Sequence, residues 1–275
     1  MLQLDPYSGA LGALVQGVDL CLPIDDVLFR ELNEALLQFE VLFFRDQPIS
    51  PENHAALASL FGPAQFHEAY PHVDQYPQLT ILENDEANPS KIEMWHTDMT
   101  FRQNPPLGSI LHGVSIPKRG GDTLFASLSA SYEGLSNPMK SFLSGLTAIH
   151  DFSFGFKESL EEPGGRERLA KMVIDNPPVE HPVVRVHPLS GKKGLFVNTL
   201  FTKSIKGMKD KESRALLSFL FEHMVEPEYT CRFKWEENSI AFWDNRVTLH
   251  RPVNDYWPQH RKMQRITIDG DRPES

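Results

Sequence analysis

A histidine and a carboxylate stand two residues apart in the segment Trp95-His96-Thr97-Asp98. If this segment is an extended strand, both side chains project to the same face and can reach one metal ion. A second imidazole, His250, lies just beyond a hydrophobic strand candidate at 239–243, which could return it to the same site from the far side of a barrel. Two imidazoles and one carboxylate on one octahedral face leave room for a cosubstrate and oxygen, as non-haem Fe(II) oxygenases require. The pattern therefore favours redox chemistry.

Taken alone, the His-x-Asp pair is weak support for a metal site, because a buried histidine is more often a satisfied core residue than a ligand. Two histidines and a carboxylate can also hold catalytic zinc, and such a hydrolase would consume neither oxygen nor an oxo acid. A binding protein without catalytic activity is a further alternative. It predicts that substitution of His96 or Asp98 leaves ligand affinity intact.

Two further motifs supply chemistry that a metal alone lacks. The segment Gly120-Gly121-Asp122-Thr123 follows the first motif, and Arg261 follows His250 by eleven positions. An oxo acid that chelates iron still has a distal carboxylate to anchor. Arg261 offers a planar fork of donors to that carboxylate, and Thr123 offers a hydroxyl. The paired glycines also predict a tight turn.

The elements that must position these residues are predicted from hydrophobic spacing and from capping residues. Helices are expected at 24–40, from Ser50 and Pro51 to the Phe61-Gly62-Pro63 stop, and at 211–224. Short apolar runs predict strands at 41–44, 79–82, 108–111, 183–186, 194–197, 239–243 and 265–268. The expected architecture is mainly β, a sheet sandwich with flanking helices.

The chain shows no repeat, low-complexity tract or linker, so we expect one domain over 1–275. The polar and charged stretch 152–182 is interpreted as an insertion and a candidate lid. Cys21 and Cys231 are far apart in sequence and are expected to be reduced structural thiols.

The charge balance excludes one class of partner. Acidic residues outnumber basic ones by 37 to 27, for a formal net charge of −10, whereas a surface that follows nucleic-acid phosphates normally carries the opposite sign. No stretch approaches the roughly 20 apolar residues of a membrane span, and no basic leader opens the chain. We therefore expect a cytoplasmic protein that binds neither nucleic acid nor a membrane.

An ordered series of motifs covers nearly the whole chain, and through it the sequence resembles the taurine dioxygenase (TauD/TfdA) family of Fe(II)/2-oxoglutarate-dependent dioxygenases. The motifs are Gly9-Ala10-Leu11-Gly12-Ala13, Gly17-Val18-Asp19-Leu20, Phe44-Arg45-Asp46-Gln47, Trp95-His96-Thr97-Asp98-Met99-Thr100-Phe101, Gly120-Gly121-Asp122-Thr123-Leu124, His181-Pro182-Val183-Val184-Arg185, Trp243-Asp244-Asn245-Arg246, Arg261 and Arg265. The resemblance implies a double-stranded β-helix (jelly roll) fold, with Fe(II), 2-oxoglutarate and O2 as reactants. It also implies that His96, Asp98 and His250 bind iron, that Thr123 and Arg261 anchor 2-oxoglutarate, and that the protein is a homo-oligomer, dimer or tetramer.

The same resemblance implies a substrate site for a small anion. His67 and Arg265 match the residues that grip a sulfonate, and the remaining cavity positions are Tyr70, Ile92, Met99, Phe156 and Phe201. The alternative for Arg265 is a surface ion pair of little energetic weight, but its position four residues after Arg261 favours the functional interpretation. For Tyr70 and Phe201, packing explains the residue type as well as substrate contact does.

Two positions depart from the pattern of taurine enzymes, which carry an asparagine and a serine that help to hold the substrate ammonium group. This chain has Ile92 and Gly155 there. Because isoleucine cannot accept a hydrogen bond from an ammonium, the pattern favours an organosulfonate or sulfate ester with a less polar tail. Hydroxylation beside the sulfur group would release sulfite or sulfate. Taurine stays open, and an aryloxyalkanoate or a phosphonate is the alternative substrate.

Overall fold

The computed structural model describes residues 2–66, 70–90 and 92–275. The strands, numbered β1 to β16 in chain order, are Gln3–Pro6, Ala13–Gln16, Val41–Phe44, His72–Val73, Tyr76–Asn84, Gly108–Ser115, Thr123–Ser127, Thr147–His150, Val179–Pro182, Val184–Val186, Lys193–Leu195, Thr202–Ile205, Thr230–Phe233, Ile240–Asp244, Thr248–Pro252 and Arg261–Ile268. The α-helices, α1 to α8, are Asp26–Phe39, Pro51–Ser59, Leu128–Gly134, Asn137–Leu143, Phe152–Gly155, Lys157–Glu161, Gly165–Asp175 and Asp210–His223. A 3-10 turn covers Pro227–Tyr229.

A large mixed sheet forms the centre of the fold. Its eight strands lie in the order β1-β2-β3-β14-β6-β16-β5-β4, and only the β2–β3 pair within it is parallel. Three small sheets accompany it, with the orders β13-β7-β15, β12-β8-β9 and β10-β11. Strands β14, β6 and β16, at the centre of the large sheet, pair with strands that are far apart in sequence, so β16 lies within a sheet that the N-terminal strands begin.

Three apolar clusters hold these layers together. Helices α1 and α2 cover one face of the large sheet with residues such as Leu32, Leu36 and Leu57. The opposite face packs against the β13-β7-β15 sheet through Phe43, Phe125 and other residues. A further cluster joins α3, α4 and α8 to the β10-β11 sheet. The space between the large sheet and β13-β7-β15 is therefore the interior of a sandwich.

The predicted local elements are confirmed where caps and periodicity define them. The Asp25 carboxylate accepts hydrogen bonds from the backbone N–H groups of Val27 and Leu28 at the start of α1, and Ser50 caps α2. Helix α8 and strands β3, β5, β6, β10, β11 and β14 lie within a few residues of the predicted ranges. Strand β16 starts four residues before its prediction, so that it includes Arg261.

The segment 152–182, which the sequence analysis interprets as an insertion and a candidate lid, is mostly helical. It forms α5, α6, α7 and β9, and α7 packs Leu169, Met172 and Val173 against an aromatic cluster. Helices make up about 27% of the chain and strands about 29%, so the fold has nearly equal shares of both. Within the described ranges, no helix is both long and apolar enough to cross a membrane.

Candidate metal centre and the surrounding site

The two predicted histidines and the predicted aspartate converge in the sandwich interior. One ligand atom from each of His96, Asp98 and His250 lies within 4.8 Å of the others, and all three residues are buried. The Nε2 atoms of His96 and His250 lie 3.6 Å and 3.8 Å from Oδ1 of Asp98. Two nitrogens and one oxygen at these separations can bind a single metal ion from one side.

The route by which they converge differs from the predicted one. His96 is not part of a strand but forms an isolated antiparallel bridge with His250, with N–H to O distances between their backbones of 3.0 Å and 2.8 Å. Asp98 begins a turn, and Met99 has a left-handed φ of 48°. The expectation that strand alternation aligns His96 with Asp98 is therefore wrong, and His250 is a direct neighbour of His96 rather than a residue from the far wall.

Hydrogen bonds orient the ligand side chains. The Nδ1 atom of His96 lies 2.9 Å from the carbonyl oxygen of Met94, so Nδ1–H donates and Nε2 keeps its lone pair for a metal. The Asn245 side chain accepts a hydrogen bond from the backbone N–H of Asp98 and donates one to the Asp98 carbonyl. His250 is enclosed by aromatic rings, with the Trp243 centroid 4.9 Å away.

Electrostatics keep the site ready for a cation. Burial alone would raise the pKa of the Asp98 carboxyl, but the Arg265 charge and the two histidines outweigh burial and hold that pKa well below its usual range. Burial, reinforced by His96, lowers the pKa of His250 to about 3. The aspartate is therefore ionised and His250 neutral near pH 7, as ligands to a divalent metal must be.

Thr123 and Arg261 approach each other from opposite sheets. Thr123 lies on β7, and its Oγ1 accepts a hydrogen bond of 2.9 Å from Trp235 Nε1, which leaves the threonine hydroxyl hydrogen free to donate. The Trp235 ring also lies 6.0 Å from the Arg261 guanidinium carbon. Trp235 was missed by the sequence analysis, because no local pattern links it to either residue.

The predicted turn at the paired glycines is confirmed, and it shapes this region. Gly120 and Gly121 both have φ of 73°, a conformation that favours glycine. A Cβ atom on Gly121 would lie 3.3 Å from Cδ of Arg261 and from a ring carbon of Tyr256. The glycine therefore lets the turn lie directly against the arginine.

Arg261 is a buried cation without an acidic partner among the described residues. It is 7% exposed, and its Nε atom is buried without a hydrogen-bond partner. Among the described residues, no carboxylate lies within salt-bridge distance of its guanidinium. Burial lowers the pKa of Arg261 to about 10, which still leaves it charged at neutral pH. A buried charge in this state is a ready partner for a ligand carboxylate.

Arg265 lies nearer the metal centre than a surface ion pair would. It shares the inner face of β16 with Arg261, because residues two and four apart on a strand point the same way. Its Nη1 atom lies 3.3 Å from Oδ2 of Asp98, and its side chain is 13% exposed. The surface interpretation of Arg265 is wrong.

An aromatic cluster continues from the turn that begins at Asp98. Met99 packs in one cluster with Phe101, Phe152, Leu200 and Phe201, and Phe156 lies against that cluster. The centroids of Phe101 and Phe201 are 4.9 Å apart. Three predicted cavity residues, Met99, Phe156 and Phe201, are thus brought together next to Asp98.

The remaining predicted substrate positions are Ile92, Tyr70 and His67. Ile92 is half-buried, and its carbonyl oxygen accepts a hydrogen bond of 3.3 Å from the Asn254 side chain, close to the end of β15. Tyr70 is also half-buried. The prediction for His67 lies outside the described residues.

Comparison with known proteins agrees with this site. A family model described as taurine catabolism dioxygenase TauD, TfdA family matches residues 3–267. An alkylsulfatase of Acinetobacter baylyi is 38% identical over 274 residues, which are 98% of this chain and 86% of the relative. An alpha-ketoglutarate-dependent sulfate ester dioxygenase of Pseudomonas putida is 36% identical over 277 residues, 99% of this chain and 91% of the relative. The crystal structure of a taurine dioxygenase from Burkholderia xenovorans is 39% identical, with a TM-score of 0.85 over 99% of this chain and 90% of that one.

The metal centre and these matches define an oxidoreductase of the class that uses Fe(II), 2-oxoglutarate (alpha-ketoglutarate) and O2. The chain belongs to the taurine catabolism dioxygenase TauD, TfdA family. This membership does not favour the zinc hydrolase or the binding protein without catalytic activity.

Proposed function

We propose that this dioxygenase oxidises a small sulfate ester or organosulfonate and releases sulfate or sulfite. The observation that carries the proposal is the inner face of β16, which bears two buried or nearly buried arginines, one of them in contact with a candidate metal ligand. Arg261 is buried without a described acidic partner, and Arg265 lies 3.3 Å from Asp98. The carboxylate of 2-oxoglutarate on Arg261 and the anionic head group of the substrate on Arg265 could therefore occupy the site together.

The proposed metal ligands are His96, Asp98 and His250, and their donor set fits Fe(II). Nε2 of His96 is free because Nδ1 is bonded to Met94, and Oδ1 of Asp98 is free because Oδ2 faces Arg265. Fe(II) with bound 2-oxoglutarate and O2 supplies the oxidising chemistry that hydroxylates a substrate carbon, as 2-oxoglutarate becomes succinate and carbon dioxide.

The proposed 2-oxoglutarate anchors are Arg261 and Thr123. The orphaned Nε of Arg261 and the free hydroxyl hydrogen of Thr123 are donors without acceptors among the described residues, and a distal carboxylate would satisfy both. Such charge-assisted bonds in a buried site are strong and directional. Trp235 would fix the threonine hydroxyl in the orientation that points its hydrogen at the carboxylate.

The proposed substrate anchor is Arg265, together with His67. Because the Arg265 guanidinium lies beside Asp98, an anionic head group bound to it would hold the neighbouring carbon close to the metal. The pocket of Met99, Phe156 and Phe201 would then receive an apolar tail, with Tyr70 and Ile92 as further lining residues. The enzyme's own contribution is to position one substrate carbon next to the metal.

A sulfate ester is the favoured substrate. The side chains of Met99, Phe156, Phe201 and Ile92 carry no strong hydrogen-bond acceptor for an ammonium group, so these positions favour a less polar tail than that of taurine. The alkylsulfatase and the sulfate ester dioxygenase among the relatives support the same choice. Hydroxylation of the carbon that bears the sulfate oxygen gives an adduct that splits into an aldehyde and sulfate, with the two oxygen atoms of O2 divided between this product and succinate.

Further features of the proposal concern the whole protein. We propose that the facing sheets form a jelly roll, that 1–275 is a single domain, and that the helical segment 152–182 acts as a lid. Assembly into a dimer or tetramer, location in the cytoplasm and lack of nucleic-acid binding remain predictions from the sequence and its family resemblance.

The proposal is tested by anaerobic reconstitution with Fe(II) and 2-oxoglutarate, followed by oxygen and a panel of alkyl sulfates, alkylsulfonates, taurine and aryloxy acids. We expect succinate formation coupled one to one to sulfate release from a medium-chain alkyl sulfate, and much less turnover of taurine. Phenol release from aryloxy acids without sulfate or sulfite from the sulfur compounds would instead establish the alternative substrate class.

A further inference from the structure

We propose that Asn245 is a positioning residue that holds the backbone of Asp98 so that its carboxylate points at the metal. The inference rests on the proposed function of His96, Asp98 and His250 as metal ligands. It gives a role to the Trp243-Asp244-Asn245-Arg246 motif, which no step of the proposed reaction uses.

The Asn245 side chain forms a two-sided clamp on a single residue. Its Oδ1 accepts a hydrogen bond of 2.9 Å from the backbone N–H of Asp98, and its Nδ2 donates one of 3.1 Å to the Asp98 carbonyl oxygen. Nδ2 also lies 3.3 Å from the carbonyl of Pro106. Asn245 is 0% exposed, so water does not compete for these bonds.

The clamp matters because Asp98 lacks the support that the histidines have. His96 and His250 hold each other through two backbone hydrogen bonds of their bridge. Asp98 instead lies at the start of a turn whose next residue, Met99, has φ of 48°. Both backbone polar groups of Asp98 bond to the Asn245 side chain, whereas Arg265 and Ser109 contact only the Oδ2 atom of Asp98, at 3.3 Å and 3.5 Å. Asn245 therefore fixes the backbone from which the carboxylate projects.

Asn245 is itself held by rigid neighbours. Its backbone N–H donates to the Leu107 carbonyl, at 2.8 Å. On one side of it, Asp244 is buried and bonded to Arg246 and to His187 Nε2. His187 Nδ1 accepts from the backbone N–H groups of the loop that follows, so its proton is on Nε2 and faces the carboxylate. The motif therefore fixes the clamp before any metal binds.

The test compares Asn245→Ala with Gln47→Ala by titration of the metal-free proteins with Mn²⁺ alone. Gln47 is a matched control, because it is also a buried amide that accepts from one backbone N–H, that of Leu20, and donates to two carbonyls, those of Val18 and Arg45. We expect Asn245→Ala to weaken Mn²⁺ binding by about 10- to 100-fold, the usual loss for a residue that supports a metal ligand. Gln47→Ala should change it less than about twofold, even where both variants lose similar stability in urea.

Equal Mn²⁺ affinity in Asn245→Ala and the wild type, or an equal loss in both variants, overturns the inference. If the wild type itself fails to bind Mn²⁺, the proposed metal site fails instead, so the two failures are distinct. A second measurement needs no variant. In the metal-free wild type, the Asp98 amide hydrogen should exchange as slowly as the amides of β14, and exchange at the rate of an open turn contradicts the clamp.

Discussion

Gly155 is a position where the absence of a side chain decides the packing of the pocket. A Cβ atom there would lie 2.5 Å from a ring carbon of Phe201 and 2.8 Å from the Leu200 carbonyl oxygen. We predict that Gly155→Ala forces Phe201 to shift and lowers the free energy of unfolding by about 1–3 kcal/mol, the usual cost of overpacking. Urea denaturation of the purified variant measures this loss.

Gly9→Ala is the control for this substitution, because a Cβ on Gly9 would meet nothing within 4 Å. It should leave the unfolding free energy within about 0.5 kcal/mol of the wild type. Similar values for both variants would mean that the Phe201 ring is not held against Gly155. A serine at position 155 would bring its Cβ against the same ring.

Arg265 shows what residue types alone can and cannot establish. Its spacing of four from Arg261 predicts a shared face once both residues lie on a strand, and β16 confirms this. The contact between Arg265 and Asp98 joins parts of the chain that are distant in sequence. No local pattern predicts that the proposed anion anchor also touches a proposed metal ligand. Substitution of Arg265 should therefore affect metal binding as well as substrate binding.

The turn between β14 and β15 concentrates buried charge. Asp244 is 0% exposed, and its two oxygens accept from Arg246, with Nη2 2.6 Å and Nε 2.8 Å away, and from His187 at 3.0 Å. We predict that Asp244→Asn lowers the free energy of unfolding by about 3–5 kcal/mol, because it leaves the Arg246 charge buried and uncompensated. Urea denaturation at pH 7 gives the value.

Asp210→Asn provides the comparison for an exposed pair. Asp210 and Arg214 form an i,i+4 ion pair on α8 with a distance of 2.7 Å, but both side chains are more than 70% exposed. Its loss should cost about 0.5 kcal/mol or less. An Asp244→Asn protein as stable as Asp210→Asn would show that the turn does not depend on the buried charges.

At the level of elements, the sequence predicts those whose signals are local. Helix α1 has its Asp25 cap and a regular apolar face, and β3 is a short apolar run that becomes fully buried. Helix α7 has few such signals. It has no side-chain cap, and Gly165 is the only buried residue within it, so no apolar face marks it in the sequence. Its partly buried Leu169, Met172 and Val173 gain a surface to pack on only after the aromatic cluster has formed. Contacts with distant residues therefore stabilise α7, and the polar sequence of this segment does not reveal them.

At the level of the whole molecule, the metal centre is predictable as a set of residues but not as a geometry. Residue type makes His96, Asp98 and His250 suitable for Fe(II), but the resemblance to the family motifs is what singles them out among eleven histidines. Their arrangement depends on the bridge between His96 and His250 and on the Asn245 clamp, both of which join segments distant in sequence. The rule of strand alternation uses sequence neighbours only. It therefore predicts an extended strand for His96 and Asp98, whereas His96 forms an isolated bridge and Asp98 begins a turn.

Buried neutral histidines give the whole molecule a dependence on pH. Burial lowers the pKa of His54 to about 3 and that of His181 to about 4, and it lowers the pKa of His150 well below its usual value. In the unfolded chain each of them takes up a proton near pH 6.5. The unfolded state therefore binds more protons as pH falls, and the free energy of unfolding of the metal-free protein should drop below pH 6.5. The part of this loss in unfolding free energy that comes from His181 is complete near pH 4, where the folded state also takes up the proton.

His181→Gln isolates one of these contributions. His181 Nε2 lies 2.9 Å from the carbonyl oxygens of Thr100 and Arg102, and a glutamine amide can donate to the same region without titrating. Urea denaturation between pH 7 and pH 4.5 should show a slope shallower than that of the wild type by about 1.4 kcal/mol per pH unit. An unchanged slope in His181→Gln would mean that this imidazole takes up its proton over the same pH range in the folded and unfolded states, which contradicts a buried neutral histidine.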